Sequence, residues 1–543
     1  MREKYRPEPP RTVREAALEV MRRRGMTTIF SNPGSTEIAF LVDLPPDLRF
    51  VLALHEASVV GLATGWAIGR DEPAFVNLHT TAGLGNAVGA LATARANRAP
   101  LVVLVGQQDR RHLAAEPFLA GRLAGLAGDY PVWVHEPARA RDVPVALDRA
   151  WHEASAGRGP ALVIVPMDDW TAPAEDGMAL LTPARLHRAA ELDAEAVGEL
   201  AGMLGEARAP ALVAGAGADD ARTWQALVAL AERLACPVWQ EPFGARAGFP
   251  QDHRLFAGHL PAARSRLRAT LAAHDLVVVV GAPAFRQYAY EAGSLVEDGT
   301  RLVVLTDDPS EAHRSPVALA LVGPLARACE ILAELVPARD RASSQPRWRP
   351  PPPPPPKAGA PLRAAHLLAA LAERLPQDAV LVEETPSSRP ELQARVQAGA
   401  PLGFLSAAMG GLGFALPAAT GLRMARPDRP VVAVVGDGSA LYAIQALWSA
   451  AHYGAGVLFV ILANGRYAVL DRLAEAVDGE PPWPAFEAVD VSGLARALGC
   501  RAERVDDHAG MLQALDAVLP TLARRSEPLV LEVVVEADET FDP

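Results

Sequence analysis

The residues best placed for chemistry lie in Val431-Val-Ala-Val-Val-Gly-Asp-Gly-Ser439, where an apolar run leads into Gly436-Asp437-Gly438. A helical stretch follows, and a second apolar run ends at Asn464-Gly465. Glycines let backbone amides come close to a phosphate, while the Asp437 carboxylate and the Asn464 amide oxygen are hard ligands suited to Mg²⁺. Gly-Asp-Gly by itself is equally a tight strand-to-helix turn. Spacing favours the ligand reading: Asn464 lies 26 positions after Gly438, one helix and one strand later, so both oxygens leave the same sheet edge. A metal-bridged diphosphate fits there.

The elements that must deliver such loops recur along the chain as short, β-branched apolar runs separated by Ala- and Leu-rich helical stretches. They are Phe50 to Leu54, Ala74 to Leu78, Leu101 to Val105 and Ala161 to Val165, then Ala211 to Ala214, Leu276 to Val280 and Leu302 to Leu305. A last group comprises Ala379 to Val382, Val431 to Val435, Val457 to Leu462 and Leu529 to Val535. Runs apolar on both faces and alternating with helices imply parallel sheets covered by helices, with ligands gathering beyond the carboxyl ends of the strands. The expected fold is α/β, with three doubly wound parallel-sheet domains at 1–185, 186–340 and 361–543 and a proline-rich linker at 341–360. Within the linker, Pro350 to Pro356 lacks backbone donors and favours an extended spacer of roughly 20 Å. Because the run sits between two globular segments, a linker is preferred to a ligand for an SH3-like partner.

Bulk properties narrow the function. A chain of 543 residues, half of them hydrophobic and 21% charged, has ordinary globular composition and room for about three cores. A formal net charge of -12 gives no footprint for nucleic acid. Cys236, Cys329 and Cys500 are too scattered for a disulfide framework or a metal knuckle, which suits a reducing cytoplasm. Met1 to Arg14 carries no apolar signal region, and no run of 18 apolar residues follows, so neither export nor membrane insertion is expected.

The spacing from Asp437 to Asn464 resembles the diphosphate-binding motif of thiamine-diphosphate-dependent enzymes, and other segments agree. Phe30-Ser-Asn-Pro-Gly-Ser-Thr-Glu37, Leu52-Ala-Leu-His-Glu-Ala57 and Asn77-Leu-His-Thr-Thr-Ala-Gly-Leu-Gly-Asn86 follow the order and spacing of that family's pyrimidine-binding domain. Gly410-Gly-Leu-Gly-Phe-Ala-Leu-Pro417 resembles the loop that keeps the cofactor bent. The likeness covers nearly the full length and is nearest to the benzoylformate decarboxylases. It implies pyrimidine-binding, central and diphosphate-binding domains in that order. It also implies that Glu56 bonds the pyrimidine N1′ and promotes the imino tautomer, and that Asp437, Asn464 and the main-chain oxygen of Arg466 hold Mg²⁺. Gly438, Ser439, Gly465, Ser387 and Tyr467 would surround the diphosphate, with Gly410, Gly411 and Leu412 against the cofactor rings. Ser35 and His79 align with substrate-side groups, a hydroxyl for the carboxylate of a 2-oxo acid and an imidazole that moves protons. His55 and His112 match nothing in the pattern and are read as structural.

Departures from the family pattern qualify the expected chemistry. Gly281-Ala-Pro-Ala-Phe-Arg-Gln-Tyr288 places Tyr288 where benzoylformate decarboxylases use a second histidine, and a phenol cannot be a cation at neutral pH. Ser406 and Leu473 stand at two positions that carry Phe in the family, and Val469 replaces a small residue, although Phe118 and Leu119 keep one wall apolar. The usual Asn-Asn pair is reduced to Ala463-Asn464. The resemblance thus implies a thiamine-diphosphate- and Mg²⁺-dependent 2-oxo acid decarboxylase, with possible carboligation of an aldehyde, working as a homo-oligomer (a dimer or tetramer). An acetolactate-synthase-like or lyase-type carboligase is the alternative, with Gly215-Ala-Gly217 as its weak FAD signal. A non-catalytic cofactor-binding paralogue stands third.

Overall fold

A computed structural model describes residues 12–174, 192–339, 350–357 and 359–537. The limits expected near 185 and 340, and linker positions 341–349 and 358, lie outside the described residues. Three six-stranded sheets form in chain order. The first contains β1 (Thr28–Asn32), β2 (Arg49–Leu52), β3 (Ala74–Leu78), β4 (Leu101–Gln107), β5 (Trp133–His135) and β6 (Pro160–Pro166). The second contains β7 (Pro210–Ala214), β8 (Val238–Gln240), β9 (Phe256–His259), β10 (Leu276–Val280), β11 (Arg301–Thr306) and β12 (Leu319–Val322). The third contains β13 (Val380–Glu384), β14 (Phe404–Ser406), β15 (Val431–Gly436), β16 (Leu458–Ala463), β17 (Arg501–Val505) and β18 (Leu529–Val534).

Every strand pair is parallel, and the inner strands are buried on both faces, as their unbroken Val, Leu and Ile content requires. The first and third sheets share one topology, β2-β1-β3-β4-β6-β5 and β14-β13-β15-β16-β18-β17. The middle sheet differs, running β12-β11-β10-β7-β8-β9, the doubly wound order with its switch point between β7 and β10. Gly215 and Gly217 sit at that switch point, but both are packed against the Gly281 backbone, and a Cβ at Gly217 would approach it within 3.0 Å. The pair therefore serves a close backbone crossing.

Two helices join the outer domains. In the helices Glu56–Arg70 and Ala415–Ala425, a Cβ at Gly65 would collide with the carbonyl of Ala418, and one at Gly421 with that of Leu62. Only glycine permits this crossing. The proline run is tied to the third domain. Pro354 O accepts from His366 Nε2 at 3.2 Å and Pro351 O from the Arg395 guanidinium at 3.1 Å. It is thus an anchored strap along its described length. All three cysteines are free and buried, and burial pushes each thiol up to about 12. No helix among the described residues is long and apolar enough to cross a membrane.

The central and third domains also meet at Asp219, whose Oδ1 accepts from Leu402 N at 2.9 Å while Oδ2 has no hydrogen-bond partner. Arg246 lies 4.0 Å away, too far for a hydrogen bond, and Arg429 adds a weaker attraction. Burial wins and raises this carboxyl from 3.8 to about 6. The folded chain therefore holds the proton more tightly than the unfolded one. The resulting stabilisation is complete below pH 3.8 and is lost as pH rises through about 6. Asp219→Asn is expected to be near neutral at pH 4 and to gain up to about 3 kcal/mol over the parent by pH 7. Denaturant midpoints across that range check this, and parallel pH profiles for the two proteins would reject it.

Candidate active site

Gly436 of β15 is in register with Leu462 of β16, so Asp437 and Asn464 emerge side by side beyond the carboxyl ends of adjacent strands. The Asp437 carboxylate accepts from Gly438 N at 2.8 Å and Gly465 N at 2.6 Å, drawing the two loops together. Asn464 Oδ1 accepts from Arg466 N at 3.1 Å. The Arg466 side chain turns outward, with Glu487 at 3.6 Å and Asp471 at 4.0 Å. Burial raises the Asp437 carboxyl above its usual range, which a bound cation would oppose. A Cβ at Gly438 would press within 2.8 Å of the Tyr467 ring, so this glycine keeps the turn open beneath it. No group of three His, Cys, Asp or Glu that could hold a metal ion occurs among the described residues. A cation here would rely on one carboxylate with amide and main-chain oxygens, a set that suits Mg²⁺. The residues present fit a metal-bridged diphosphate.

These loops open into a cleft of about 1640 Å³ between the central and third domains. Ser387, Gly410, Gly411, Leu412, Asp437, Gly438, Ser439, Asn464, Arg466 and Tyr467 all line it, and Tyr288, 52% exposed, faces it from the central domain. Gly465 stands behind, as a donor to Asp437. Gly410 has the left-handed φ of +70°, which suits glycine, and nothing stands within 4 Å of where its Cβ would be. Glu384 accepts from the amides of Gly413, Phe414 and Ala415 at 2.6 to 2.8 Å and so caps the following helix. Its burial raises that carboxyl to about 7 against the pull of the three donors.

Glu56, Ser35 and His79 form a separate group at the carboxyl edge of the first sheet. Glu56 opens its helix, and His55 Nδ1 caps that helix by accepting from Ala57 N at 3.1 Å. Its two carboxylate oxygens accept from Asn32 Nδ2 at 3.1 Å and Asn86 Nδ2 at 3.0 Å. His79 Nδ1 lies 3.1 Å from Glu37 Oε2 and 3.0 Å from Thr36 Oγ1. Glu37 is almost wholly buried and also accepts from Gly34 N at 2.7 Å. Ser35 is exposed on the same turn. Phe118 is exposed on a loop whose Gly121 abuts Thr81, two residues beyond His79. Asn32, Glu37 and Asn86 lie inside the sequence motifs, yet only the fold shows what they hold.

Glu56, Ser35 and His79 are not among the residues that line this cleft. Every residue lining the cleft falls between Ala235 and Leu470, so none comes from the first domain.

Comparison with known proteins matches three segments of the chain to one family. Residues 11–123 match the thiamine pyrophosphate enzyme N-terminal TPP binding domain, 197–335 the central domain and 392–533 the C-terminal TPP binding domain. Benzoylformate decarboxylase of Pseudomonas aeruginosa is 40% identical over 97% of this chain and 100% of its own. The chain belongs to the thiamine-pyrophosphate-dependent enzyme family. A putative acetolactate synthase large subunit of Mycobacterium tuberculosis is 30% identical over 94% of this chain and 99% of its own. Among solved structures, a thiamine diphosphate-dependent 4-hydroxybenzoylformate decarboxylase of Rhodococcus jostii RHA1 superposes with a TM-score of 0.92 at 38% identity, covering 97% of this chain and 100% of that one.

Proposed function

We propose that this enzyme is a non-oxidative 2-oxo acid decarboxylase that uses thiamine diphosphate and Mg²⁺, releases CO₂ and an aldehyde, and ligates part of that aldehyde to a second one. The observation that carries the reading is the His79 imidazole backed by buried Glu37 beside exposed Ser35, a proton carrier next to a carboxylate-binding hydroxyl. Bound thiamine diphosphate supplies the electron sink for decarboxylation. Asp437, Asn464 and the Arg466 carbonyl hold the cation. Ser387, Gly438, Ser439, Gly465 and Tyr467 enclose the diphosphate, and Gly410, Gly411 and Leu412 face the rings. Glu56, fixed by Asn32 and Asn86, exchanges a proton at N1′. Glu37 holds His79 through Nδ1 and leaves Nε2 to move a proton at the substrate. The protein works in the cytoplasm as a homo-oligomer with domains at 1–185, 186–340 and 361–543, joined by the 341–360 linker. A panel of aromatic and aliphatic 2-oxo acids, scored for CO₂ and aldehyde, tests the reading. Absence of CO₂ from every acid by the cofactor-loaded protein would reject it.

Tyr288 supports the ligation side reaction and makes a carboligase the second reading. After CO₂ leaves, the substrate carbon must gain a proton before an aldehyde can depart, and a phenol is a far weaker acid near neutral pH than an imidazolium. Slow protonation gives a second aldehyde time to react. Tyr288→His is expected to shift the product ratio severalfold toward free aldehyde, as product chromatography would show. An unchanged ratio in folded, cofactor-bound protein would make Tyr288 a packing residue. Absorbance near 450 nm in the purified protein would favour a flavin-bearing carboligase.

A further inference from the structure

The segment Ser406 to Gly410 leads into Gly410-Gly411-Leu412, and its backbone is held largely by other domains. Ser406 N donates to Ala245 O of the central domain at 2.9 Å, and Arg246 forms an antiparallel bridge with Leu405 beside it. Ser406 O accepts from Asn97 Nδ2 at 2.8 Å. Ala408 is gripped from both sides. Its amide donates to Asn97 Oδ1 at 2.8 Å, and its carbonyl accepts from the Arg286 guanidinium at 3.0 Å. Asn97 is buried and ends the Thr80–Ala96 helix of the first domain. Arg286 belongs to the central domain, where Glu241, fully buried, accepts two of its N–H groups at 3.0 and 2.9 Å. Phe243 O accepts a further one at 2.6 Å.

We propose that Arg286 and Asn97 are positioning residues that set the cofactor loop by holding the carbonyl and the amide of Ala408 from two other domains. A guanidinium locked in a two-point carboxylate pair has little freedom left, so its bond to Ala408 O transmits the position of the central domain to the loop. Asn97 does the same from the first domain, because one side-chain amide spans Ser406 O and Ala408 N. The arrangement also links the loop to Tyr288, which lies two residues beyond Arg286. Ala284 N, bonded to Ser315 Oγ at 3.0 Å, anchors that segment on the other side. The inference rests on the reading of Gly410 to Leu412 as cofactor-facing.

The test uses the full chain without cofactor and then with it. Amide hydrogen exchange across 406–413 is expected to quicken at least about tenfold in Arg286→Met and in Asn97→Asp, with Arg286→Lys between parent and Met variant. Asn97→Asp retains an acceptor for Ala408 N but loses the donor to Ser406 O. The amides of β10 should be unchanged, which separates loosening of the loop from general destabilisation. Calorimetric affinity for thiamine diphosphate with Mg²⁺ should fall about tenfold in the Met variant. Unchanged exchange at 406–413, or equal loss of protection in β10, would overturn the proposal. A loosened loop with unchanged cofactor affinity would also overturn it, by rejecting the cofactor-facing role of Gly410 to Leu412. The exchange measurement involves no 2-oxo acid, so its outcome is independent of the decarboxylase reading.

Discussion

Glu56→Gln is expected to slow exchange of the cofactor's C2 proton by about two to four orders of magnitude while leaving cofactor retention near the parent level. The carboxylate meets two amide donors, Asn32 and Asn86, one at each oxygen. A glutamine keeps the volume but offers one acceptor and one donor to those two donors, and it cannot exchange a proton with N1′ as an acid does. The proposed diphosphate anchor around Asp437 lies in another domain and would remain intact. Asp437→Ala should behave oppositely. It removes the carboxylate that draws Gly438 and Gly465 together and that would bind the cation, so retention of Mg²⁺ and cofactor should fall about a hundredfold. Calorimetry reports retention, and deuterium exchange at C2 reports the proton step. Equal cofactor loss in both variants, with normal exchange in loaded Glu56→Gln, would reject the assigned roles.

How much of this was legible in the sequence depended on burial and on distance along the chain. Strands buried on both faces announce themselves as continuous apolar runs, and Ala74–Leu78 and Leu276–Val280 form over the expected residues. Among the described edge strands, only Arg49–Leu52 falls on an expected run, Phe50 to Leu54. Arg501–Val505 carries three charged residues in five because it borders only one neighbour, and Phe404–Ser406 is too short to show a pattern. Thr28–Asn32 is an inner strand, but its buried Ser31 breaks the apolar run by pairing with Asn77. The site divides similarly. Glycines and fixed spacing single out Asp437 and Asn464, which the structure places side by side beyond adjacent strands, whereas Glu56 stands out only through the family resemblance. Glu37, Asn97, Glu241, Arg286 and Glu384 were not assigned because tertiary packing creates their roles. Arg286 meets Ala408 across 122 positions, and Asn97 meets it across 311. Glu37 had a usable signal, a carboxylate two residues after Ser35 in the first motif.

Mixing Glu56→Gln chains with Asp437→Ala chains under subunit exchange is expected to restore activity that neither variant has alone. The Thr80–Ala96 helix carries His79 at its start and Asn97 at its end, and Asn97 holds the 406–408 loop of its own chain. Seventeen helical residues span about 25 Å, so His79 stands a full helix length from that loop. Glu56 shares the His79 end: a Cβ at Gly83, in the first turn of the same helix, would lie 3.4 Å from His79 and 3.6 Å from Glu56. Under the proposed function, the cleft of one chain would take its Glu56 and His79 from a second copy. In a symmetric pair, each mixed dimer contains one site with both parent residues and one with neither. Random pairing of equal amounts makes half the dimers mixed, so recovery should approach about one quarter of the parent rate. Tagged chains and native mass spectrometry would establish that exchange took place. No recovery after demonstrated exchange would show that each chain completes its own site.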